Sequence, residues 1–397
     1  MQLFMKRWRE KSMRNSLIGW QKQAGAPLTE AMHSVAQFER VPPRLLLTYG
    51  PVARMNPYQA LLYRGAHEAG VATSELIPLE TFREVPSLHG LAHHTAVHFH
   101  WINSVVGGAK TTADAKQRVN KFLHDIDAIR SNGVDVVFTI HNKVSHDAVY
   151  VEEELSLQQG ILDRSTVVHS MTHAGIDSMQ GFADIDTNKV VISPHPTYQA
   201  VYPDYLPKSE CRRALGIRPD EFVISFFGAI KPYKGLNELR RMWQDLERQT
   251  DRRMRLIIAG SPDSSAEAQE FLSWASKHPS VILQPTKIPF EQVQLYVKAA
   301  DAGVIPYRRT LNSGAAMLHL TFGNPIICVD EPALYEGLPR GAYYKFEDSE
   351  SFSSAVSMAV DQSAEELAAA RRELRESRSP SVTSEQFMND LLSKLGI

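Results

Sequence analysis

The sequence predicts an α/β protein of two doubly wound, Rossmann-like domains that face each other across a cleft. From Arg44 onward, short apolar runs alternate with longer helical patterns, which is typical of parallel sheets covered by helices. The alternation is interrupted by the segment SPHPTYQAVYPDYLPKS, which holds four prolines and shows no periodicity. A length of 397 residues also favours two domains over one.

The composition limits the classes of function. Hydrophobic residues make up 43% and charged residues 22% of the chain, and the net charge of -2 gives no reason to expect a nucleic-acid partner. Two cysteines, Cys211 and Cys328, suit a reducing compartment and do not make a disulfide framework. No apolar run reaches the roughly 18 residues that a membrane-spanning helix needs. We therefore expect a cytoplasmic protein.

Residues 1–40 form a basic leader. The stretch MQLFMKRWREKSMRNSLIGWQK carries six lysines and arginines against Glu10, with aromatic residues between them. Two interpretations stay open: the leader lies on an anionic membrane surface, at the inner face of the cell membrane, or it is a solvated segment or a helix packed on the domain. It lacks the apolar region and cleavage site of a secretory signal.

Residues 41–193 are predicted to form the first domain. We expect its strands in RLLLTYG, TAVHFH, VDVVFTI, STVVHS and KVVIS, and its helices in NPYQALLYRGAHEAG and TADAKQRVNKFLHDIDAIRSNG. Residues 194–208 are predicted to be the linker.

Residues 209–380 are predicted to form the second domain. Its strands are expected in EFVISFFG, RMRLIIAG, SVILQP, AGVIPY and NPIICVD, with helices in LNELRRMWQDLERQ, AEAQEFLSWASK, FEQVQLYVKAA and GAAMLHLTF. Because open α/β sheets bind ligands beyond the carboxyl ends of their strands, we expect a site in the cleft between the two sheets.

The loop GAIKPYKG leaves the first strand of the second domain and leads into a helix. Lys231 and Lys234 are placed over the cleft, and Gly228 and Gly235 permit close approach of the backbone. Lysines beside a helix N-terminus suit a diphosphate. The alternative is a solvated loop whose lysines bind nothing.

A second loop, YRRTLNSG, reaches the same edge of the sheet and ends where another helix begins. Arg308, Asn312, Ser313 and Gly314 are candidates for binding phosphate there. The alternative for Ser313 is a helix N-cap.

These two motifs, in this order, resemble the donor-binding domain of GT-B glycosyltransferases. The resemblance is to the large retaining group that includes sucrose synthases and bacterial mannosyl- and glucosyltransferases. In that group a GRxxxxKG loop binds the diphosphate of the sugar nucleotide. GAIKPYKG keeps Gly228, Lys234 and Gly235 but has Ala229 in place of the arginine, and Lys231 supplies a charge two positions on. The resemblance covers about residues 44–395 and implies a C-terminal helix, within 381–397, that crosses back to the first domain.

The later motif departs from the family. FGNPII matches its glycine and proline ending, but Leu318 and Thr310 stand where the E-x7-E glutamates are expected. NSGAAML therefore resembles a divergent branch found among polysaccharide-assembly transferases, in which helix amides hold the phosphates. Whether transfer retains or inverts the anomeric configuration stays open.

The first domain carries strand-end histidine motifs, AVHFHWIN and VVFTIHNKVSHD, that resemble those on the acceptor side of these enzymes. For inverting transfer, His141 and Asp147 are the candidate catalytic residues; for retaining transfer, His141 would bind the donor sugar. The alternative is a histidine that only satisfies backbone groups in the loop. The candidate acceptor-binding residues are Asn56, Tyr58, His100, Trp101 and Asn103. For all of these except His100, the alternative is ordinary loop packing.

No metal is expected. His93, His94, His98 and His100 are close in sequence, but no cysteine or nearby carboxylate completes a zinc shell, and no DxD motif stands at a strand end. Many other transferases bind the diphosphate through a metal ion; here the lysines and helix amides are expected to bind it instead.

The resemblance implies a transferase that moves a hexose from a UDP- or GDP-sugar to a saccharide or a lipid-linked saccharide in glycan assembly. Two alternatives stay open: a nucleotide-sugar epimerase of the same shape, and a catalytically silent partner subunit that keeps the fold.

Overall fold

A computed structural model describes residues 26–39, 41–54, 56–79, 91–145, 148–307 and 310–397. The basic part of the leader, through Lys22, and the candidates Asp147 and Arg308 lie outside the described residues.

The first sheet has six strands in the order β2-β1-β3-β4-β5-β6, and all pairs are parallel. Alternate residues of β1 enter different cores: Leu46 packs on one face, and Leu45 and Leu47 on the other. Both faces are therefore covered, as in other parallel sheets. The chain reverses direction across the sheet between β1 and β3. The strands are β1 (Leu45–Gly50), β2 (Val71–Glu75), β3 (His94–Phe99), β4 (Asp135–Thr139), β5 (Val167–Ser170) and β6 (Val190–Ile192).

The helices of this half of the chain are α1 (Ala26–Ala36), α2 (Tyr58–Leu62), α3 (Thr112–Ser131), α4 (Val151–Arg164) and α5 (His173–Asp177), with short 3-10 helices at Ile102–Val105 and Thr187–Lys189. Helix α3 begins where its side-chain cap predicts, because the Thr111 hydroxyl accepts a hydrogen bond from the Asp114 amide.

The second sheet is also parallel and has six strands, in the order β12-β11-β10-β7-β8-β9. Its chain reverses direction between β7 and β10. The strands are β7 (Phe222–Phe227), β8 (Met254–Ala259), β9 (Val281–Gln284), β10 (Ala302–Ile305), β11 (Ile326–Val329) and β12 (Tyr343–Phe346).

The helices of the second half are α6 (Lys208–Ala214), α7 (Leu236–Gln249), α8 (Ala266–Ala275), α9 (Val293–Lys298), α10 (Gly314–Thr321), α11 (Pro332–Tyr335), α12 (Ser349–Val360), α13 (Ala364–Ser377) and α14 (Pro380–Leu395), with 3-10 helices at Pro232–Lys234 and Phe290–Gln292.

Two strands were not predicted from the sequence, β2 and β12. Each lies at an edge of its sheet, where one side of the strand has no neighbour and fewer apolar residues are needed. Their sequences, VATSE and YYKF, accordingly lack the long apolar run of a central strand.

The helix predicted over NPYQALLYRGAHEAG is regular only from Tyr58 to Leu62. Beyond it, the Ser384 hydroxyl donates to the Leu62 carbonyl at 2.7 Å and accepts from the Gly65 amide at 2.8 Å. Those backbone groups therefore bond to α14 instead of continuing the helix.

Helix α14 crosses from the second half of the chain to the first sheet. Its Phe387, Met388, Leu391 and Leu392 are buried in the core that contains Leu45 and Leu47. The Phe387 ring lies 4.8 Å from the His169 ring and 5.6 Å from the His98 ring, between centroids. The last helix thus completes the core of the first sheet. Among the helices that the structure describes, none is long and apolar enough to cross a lipid bilayer.

Replacing Phe387 with Ala is expected to lower the free energy of unfolding by about 3–5 kcal/mol, because the ring is fully buried and its removal leaves a cavity. Denaturant unfolding measures the change. Val382→Ala, on the exposed side of the same helix, is the control and is expected to change stability by about 0.5 kcal/mol or less. Equal effects of the two variants would contradict the packing of α14.

Candidate active site

A cavity of about 250 Å³ lies between the two sheets. It opens where each chain reversal leaves a crevice at the carboxyl edge of its sheet, between β1 and β3 and between β7 and β10, which is where doubly wound sheets bind ligands. The cavity is lined by residues of both halves of the chain: Asn56, Tyr58, Trp101, His141, Asn142, Met171, His195, Tyr233, Lys234, Tyr307, Thr310, Asn312, Ser313, Gly314 and Ala315.

His141 follows β4 and stands in the first-domain wall. Trp101 stacks on its ring at 4.2 Å between centroids, and Tyr58 meets it edge-on at 5.5 Å. Burial, and secondarily His100, lowers the pKa of His141 well below its usual value. The imidazole is therefore neutral at pH 7 and held in one orientation.

Lys234 stands in the opposite wall, at the end of the 3-10 turn that follows β7. An added Cβ at Gly228 would lie 3.0 Å from the Lys234 Nζ, and one at Gly235, where φ is 71°, would lie 2.5 Å from the Pro306 carbonyl oxygen. A positive φ favours glycine at both positions, with a φ of 114° at Gly228, and at Gly235 the Pro306 carbonyl also leaves no room for a Cβ.

The Lys234 side chain is 8% exposed. Its Nζ lies 5.4 Å from the centre of the Tyr307 ring and 5.8 Å from that of Phe226, and among the described residues no carboxylate forms an ion pair with it. Burial, and secondarily Lys231, lowers the pKa of Lys234 to about 8. The site holds a positive charge that lacks a carboxylate partner in the described part of the chain, and an anion would supply one.

The N-terminus of α10 borders the same cavity. Ser313 is its N-cap, because its hydroxyl accepts from the Ala316 amide at 3.1 Å, and the hydroxyl also contacts that of Tyr307. The amides of Gly314 and Ala315 begin the helix at the cavity wall. Asn312 donates from Nδ2 to the His141 carbonyl at 3.0 Å, and so links the two walls.

A larger space of about 690 Å³ adjoins this cavity and shares Trp101, Asn142 and Tyr233 with it. Lys231 lines the larger space while Lys234 lines the smaller one. The two lysines therefore face different parts of the cleft. The larger space is also bordered by the exposed Asn103, by Glu154 and by the 107–109 turn.

Of the candidate acceptor-binding residues, all but His100 border these two spaces. Asn56, Tyr58 and Trp101 line the smaller cavity, and Asn103 the larger one. His100 is 1% exposed and lies behind His141. Its Nε2 lies 2.7 Å from the Tyr63 hydroxyl, and its Nδ1 lies 3.0 Å from the His141 Nε2. Its geometry supports a contact with His141 rather than with an acceptor.

Sequence reasoning missed other residues of the site. His195 lies in the segment that was predicted to be only a linker, yet it lines the cavity 4.9 Å from Tyr58, between ring centroids. Tyr198, from the same segment, places its hydroxyl 2.8 Å from where a Cβ on Gly314 would be. A histidine and a tyrosine among prolines were the available signal. Glu154, which accepts from the Ser145 amide at 2.8 Å, was also missed.

Within the described ranges, no group of three or more histidine, cysteine, aspartate or glutamate side chains is arranged to hold a metal ion. The clustered histidines bond to one another and to hydroxyl groups instead.

Residues 221–362 match the family model described as "Glycosyl transferases group 1". The chain is 24% identical over 284 residues to a GDP-mannose:glycolipid 4-beta-D-mannosyltransferase of Xanthomonas campestris pv. campestris, which covers 71% of this chain and 72% of that protein. It is 28% identical over 190 residues to a D-inositol 3-phosphate glycosyltransferase of Corynebacterium diphtheriae, covering 46% and 43% of the two chains.

The fold is that of solved GT-B glycosyltransferases. Sucrose-phosphate synthase from Thermosynechococcus elongatus superposes with a TM-score of 0.64 at 14% identity, over 89% of this chain and 99% of that one. An alpha,alpha-trehalose-phosphate synthase (UDP-forming) from Burkholderia xenovorans gives a TM-score of 0.60 at 13% identity, over 88% and 100%.

Replacing Lys234 with Met is expected to stabilise the ligand-free protein at neutral pH. Lowering the pKa from 10.5 to about 8 corresponds to about 3 kcal/mol of destabilisation while lysine is charged in both the folded and unfolded states. This penalty is complete below pH 8 and disappears as the pH rises to 10.5, because the folded protein loses the proton first. The difference in unfolding free energy between Lys234→Met and wild type should therefore shrink over that interval.

Denaturant unfolding from pH 7 to 10.5 measures this difference. The exposed Lys277 provides the control, since Lys277→Met should leave stability nearly unchanged throughout. A Lys234→Met variant that is less stable than wild type at pH 7 would show that the buried charge is already compensated.

Proposed function

We propose, on the premise that the chain is a glycosyltransferase with the GT-B fold, that it transfers a hexose from a nucleoside-diphosphate sugar to a saccharide or lipid-linked saccharide. The observation that carries the proposal is the buried Lys234 at the cavity between the domains. Neither the described residues nor the relatives favour an epimerase or a silent partner subunit.

The donor diphosphate binds between Lys234 and the N-terminus of α10. A lysine charge and the amides of Gly314 and Ala315 converge on the same cavity, and both stabilise phosphate oxygens. When the donor bond breaks, negative charge grows on the diphosphate, and these preorganised groups stabilise it in the transition state. Ser313 serves as the cap that fixes the helix end, and Gly228 and Gly235 shape the loop.

We propose a UDP- or GDP-sugar as the donor. Two of the similar proteins are named for such nucleotides, one as GDP-mannose-dependent and one as UDP-forming. The lysine and the helix amides replace a divalent cation as the partner of the diphosphate, so we propose that transfer needs no metal.

The acceptor occupies the larger space. Its volume of about 690 Å³ suits a saccharide, and Trp101 and Tyr233 offer the flat aromatic faces on which sugar rings stack. Lys231, at the same space, would contact a phosphate at the reducing end of a lipid-linked acceptor. The acceptor hydroxyl enters where the two spaces meet, beside Trp101 and His141.

His141 is the proposed proton acceptor. It is neutral in the ligand-free protein, so it can accept a hydrogen bond or a proton from the attacking hydroxyl. A bound diphosphate is an opposite charge to imidazolium and raises the pKa of His141 when the donor is present. For retaining transfer, the same nitrogen would accept from a donor-sugar hydroxyl. We also propose Asp147 as a catalytic residue and Arg308 as a residue that binds the donor diphosphate.

The basic leader is proposed to bind an anionic membrane surface, which would place the cleft near a lipid-linked acceptor. One similar protein is named for a glycolipid acceptor.

A thermal-shift screen against UDP, GDP, ADP, dTDP and CMP, with and without attached sugars, tests the donor class. One uracil or guanine nucleotide is expected to raise the melting temperature, and the shift should persist in EDTA. Lys234→Met should weaken binding of that diphosphate by about 1.5–3 kcal/mol, since it removes a charge-assisted contact. Lys277→Met is again the matched control. No shift with any nucleotide well above a plausible dissociation constant would overturn the proposal.

Replacing His141 with Ala is expected to lower kcat by about 100-fold or more while leaving donor affinity within about twofold, because a proton acceptor acts in the transition state. Initial rates with the identified donor, together with calorimetric affinities, separate the two effects. A loss of donor affinity equal to the loss of rate would instead assign His141 to donor binding.

A further inference from the structure

A continuous row of polar side chains leads from His141 into the core of the first domain. The His141 Nε2 lies 3.0 Å from the His100 Nδ1, and the His100 Nε2 lies 2.7 Å from the Tyr63 hydroxyl. The same hydroxyl lies 2.7 Å from the His98 Nδ1. Three hydrogen bonds thus connect the cavity wall to a side chain that is fully buried.

The row continues across the carboxyl ends of neighbouring strands. The His98 Nε2 on β3 lies 2.7 Å from the Thr139 hydroxyl on β4, which lies 3.0 Å from the His169 Nδ1 on β5. The His169 Nε2 lies 3.1 Å from the Ser193 carbonyl oxygen, just past β6. We call this row the histidine chain; its members are His141, His100, Tyr63, His98, Thr139, His169 and the Ser193 carbonyl.

The four histidines of the histidine chain are neutral. Burial lowers the pKa of His98, His100 and His141 well below the usual value and that of His169 to about 4. A neutral imidazole has one N–H donor and one acceptor nitrogen. Each ring of the chain therefore donates on one side and accepts on the other.

The Ser193 carbonyl sets the direction of every bond at the inner end, because a carbonyl oxygen only accepts. His169 must carry its proton on Nε2, which leaves Nδ1 to accept from the Thr139 hydroxyl. Having donated its single proton, Thr139 must accept from the His98 Nε2–H.

The same logic passes outward to the cavity. The His98 Nδ1 accepts from Tyr63, whose oxygen then accepts from the His100 Nε2–H. The remaining His100 nitrogen, Nδ1, accepts from the His141 Nε2–H. His141 is left with an unprotonated Nδ1, for which the described residues provide no hydrogen-bond partner, and its ring lines the cavity.

We propose that the histidine chain fixes His141 as the Nε2–H tautomer, so that its Nδ1 is presented to the cleft as the acceptor for a substrate hydroxyl. The members behind His141 are positioning residues, since none of them needs to touch the substrate. Their role in transfer rests on the proposed function of His141, whereas the tautomer itself does not.

Fixing the tautomer has a chemical consequence. With Nε2 protonated and bonded to His100, the lone pair on Nδ1 is available in every molecule and not in a fraction of them. When Nδ1 takes up a proton, the positive ring strengthens its Nε2–H bond to His100, and the chain behind it polarises in the same direction. The chain thereby stabilises the protonated His141 without a carboxylate.

The hydrogen bonds of the histidine chain can run in the opposite direction only if the chain is broken at Thr139. If the Thr139 hydroxyl is removed, the Ser193 carbonyl no longer controls His98. The three outer histidines and Tyr63 can then reverse together, which moves the His141 proton to Nδ1 and abolishes the acceptor. Valine has the shape of threonine without the hydroxyl, and serine keeps the hydroxyl. Thr139→Val and Thr139→Ser are therefore a matched pair.

Long-range ¹H–¹⁵N correlation spectra of the ¹⁵N-histidine-labelled protein report each tautomer. We expect His98, His100, His141 and His169 to be Nε2–H tautomers. His195 is the internal contrast, because its Nδ1 lies 2.8 Å from the Pro196 carbonyl oxygen and must carry the proton. Single histidine-to-glutamine variants assign the signals. A wild-type His141 signal of the Nδ1–H form would overturn the proposal regardless of any activity.

In Thr139→Val, the His141 signal is expected to shift toward the Nδ1–H form, and kcat to fall about tenfold or more with the donor KM within about twofold. Thr139→Ser should keep both the tautomer and the rate. A folded Thr139→Val with an unchanged His141 tautomer would overturn the proposal. A changed tautomer with an unchanged rate would support control of the tautomer by the histidine chain but refute His141 as proton acceptor. If Thr139→Val does not fold, Tyr63→Phe breaks the chain nearer the cavity and is judged by the same two outcomes.

Discussion

Lys234 and His141 face the same cavity from opposite domains, and both are buried without a carboxylate partner among the described residues. Removing a group from water penalises its charged form, so burial makes the lysine charge unstable until an anion arrives and keeps the histidine neutral. One physical effect therefore underlies both proposed roles, the binding of negative charge at one wall and the acceptance of a proton at the other. The rings of Trp101 and Tyr58 contact His141, and that of Tyr307 lies beside the Lys234 ammonium group.

The positions of these groups follow from the topology. In each sheet the chain reverses direction once, and the loops on either side of the reversal point into a crevice. Lys234 follows β7, and Tyr307 and the N-terminus of α10 follow β10. On the other side Tyr58 follows β1 and Trp101 follows β3. The cavity thus follows from the strand order alone, since the loops at the two chain reversals face each other across it.

This relation explains what could be predicted from the sequence. The apolar runs gave the central strands, and the loops after them gave Lys234, His141 and Ser313, because a parallel sheet fixes which end of each strand meets the cleft. Pattern alone could not decide whether Ser313 caps a helix or binds phosphate. Nor could it show that His100 lies behind His141 or that the segment with His195 lines the cavity. The positions of His100 and His195 depend on side-chain packing between residues distant in sequence. The histidine chain is the extreme case, since its members lie in or just after four different strands and in the turn that follows α2.

Helix α14 packs on the first sheet but is synthesised long after the strands of that sheet. During synthesis, the first sheet is complete once Ser193 has emerged, but the ring that covers His98 and His169 belongs to Phe387. At typical translation rates, the intervening part of the chain takes roughly 10–40 s to make. Throughout that interval the Phe387 ring is not yet present to cover this face of the polar row. The contact of Phe387 with His98 and His169 can therefore form only after α14 has been made, long after the strands that carry the two histidines.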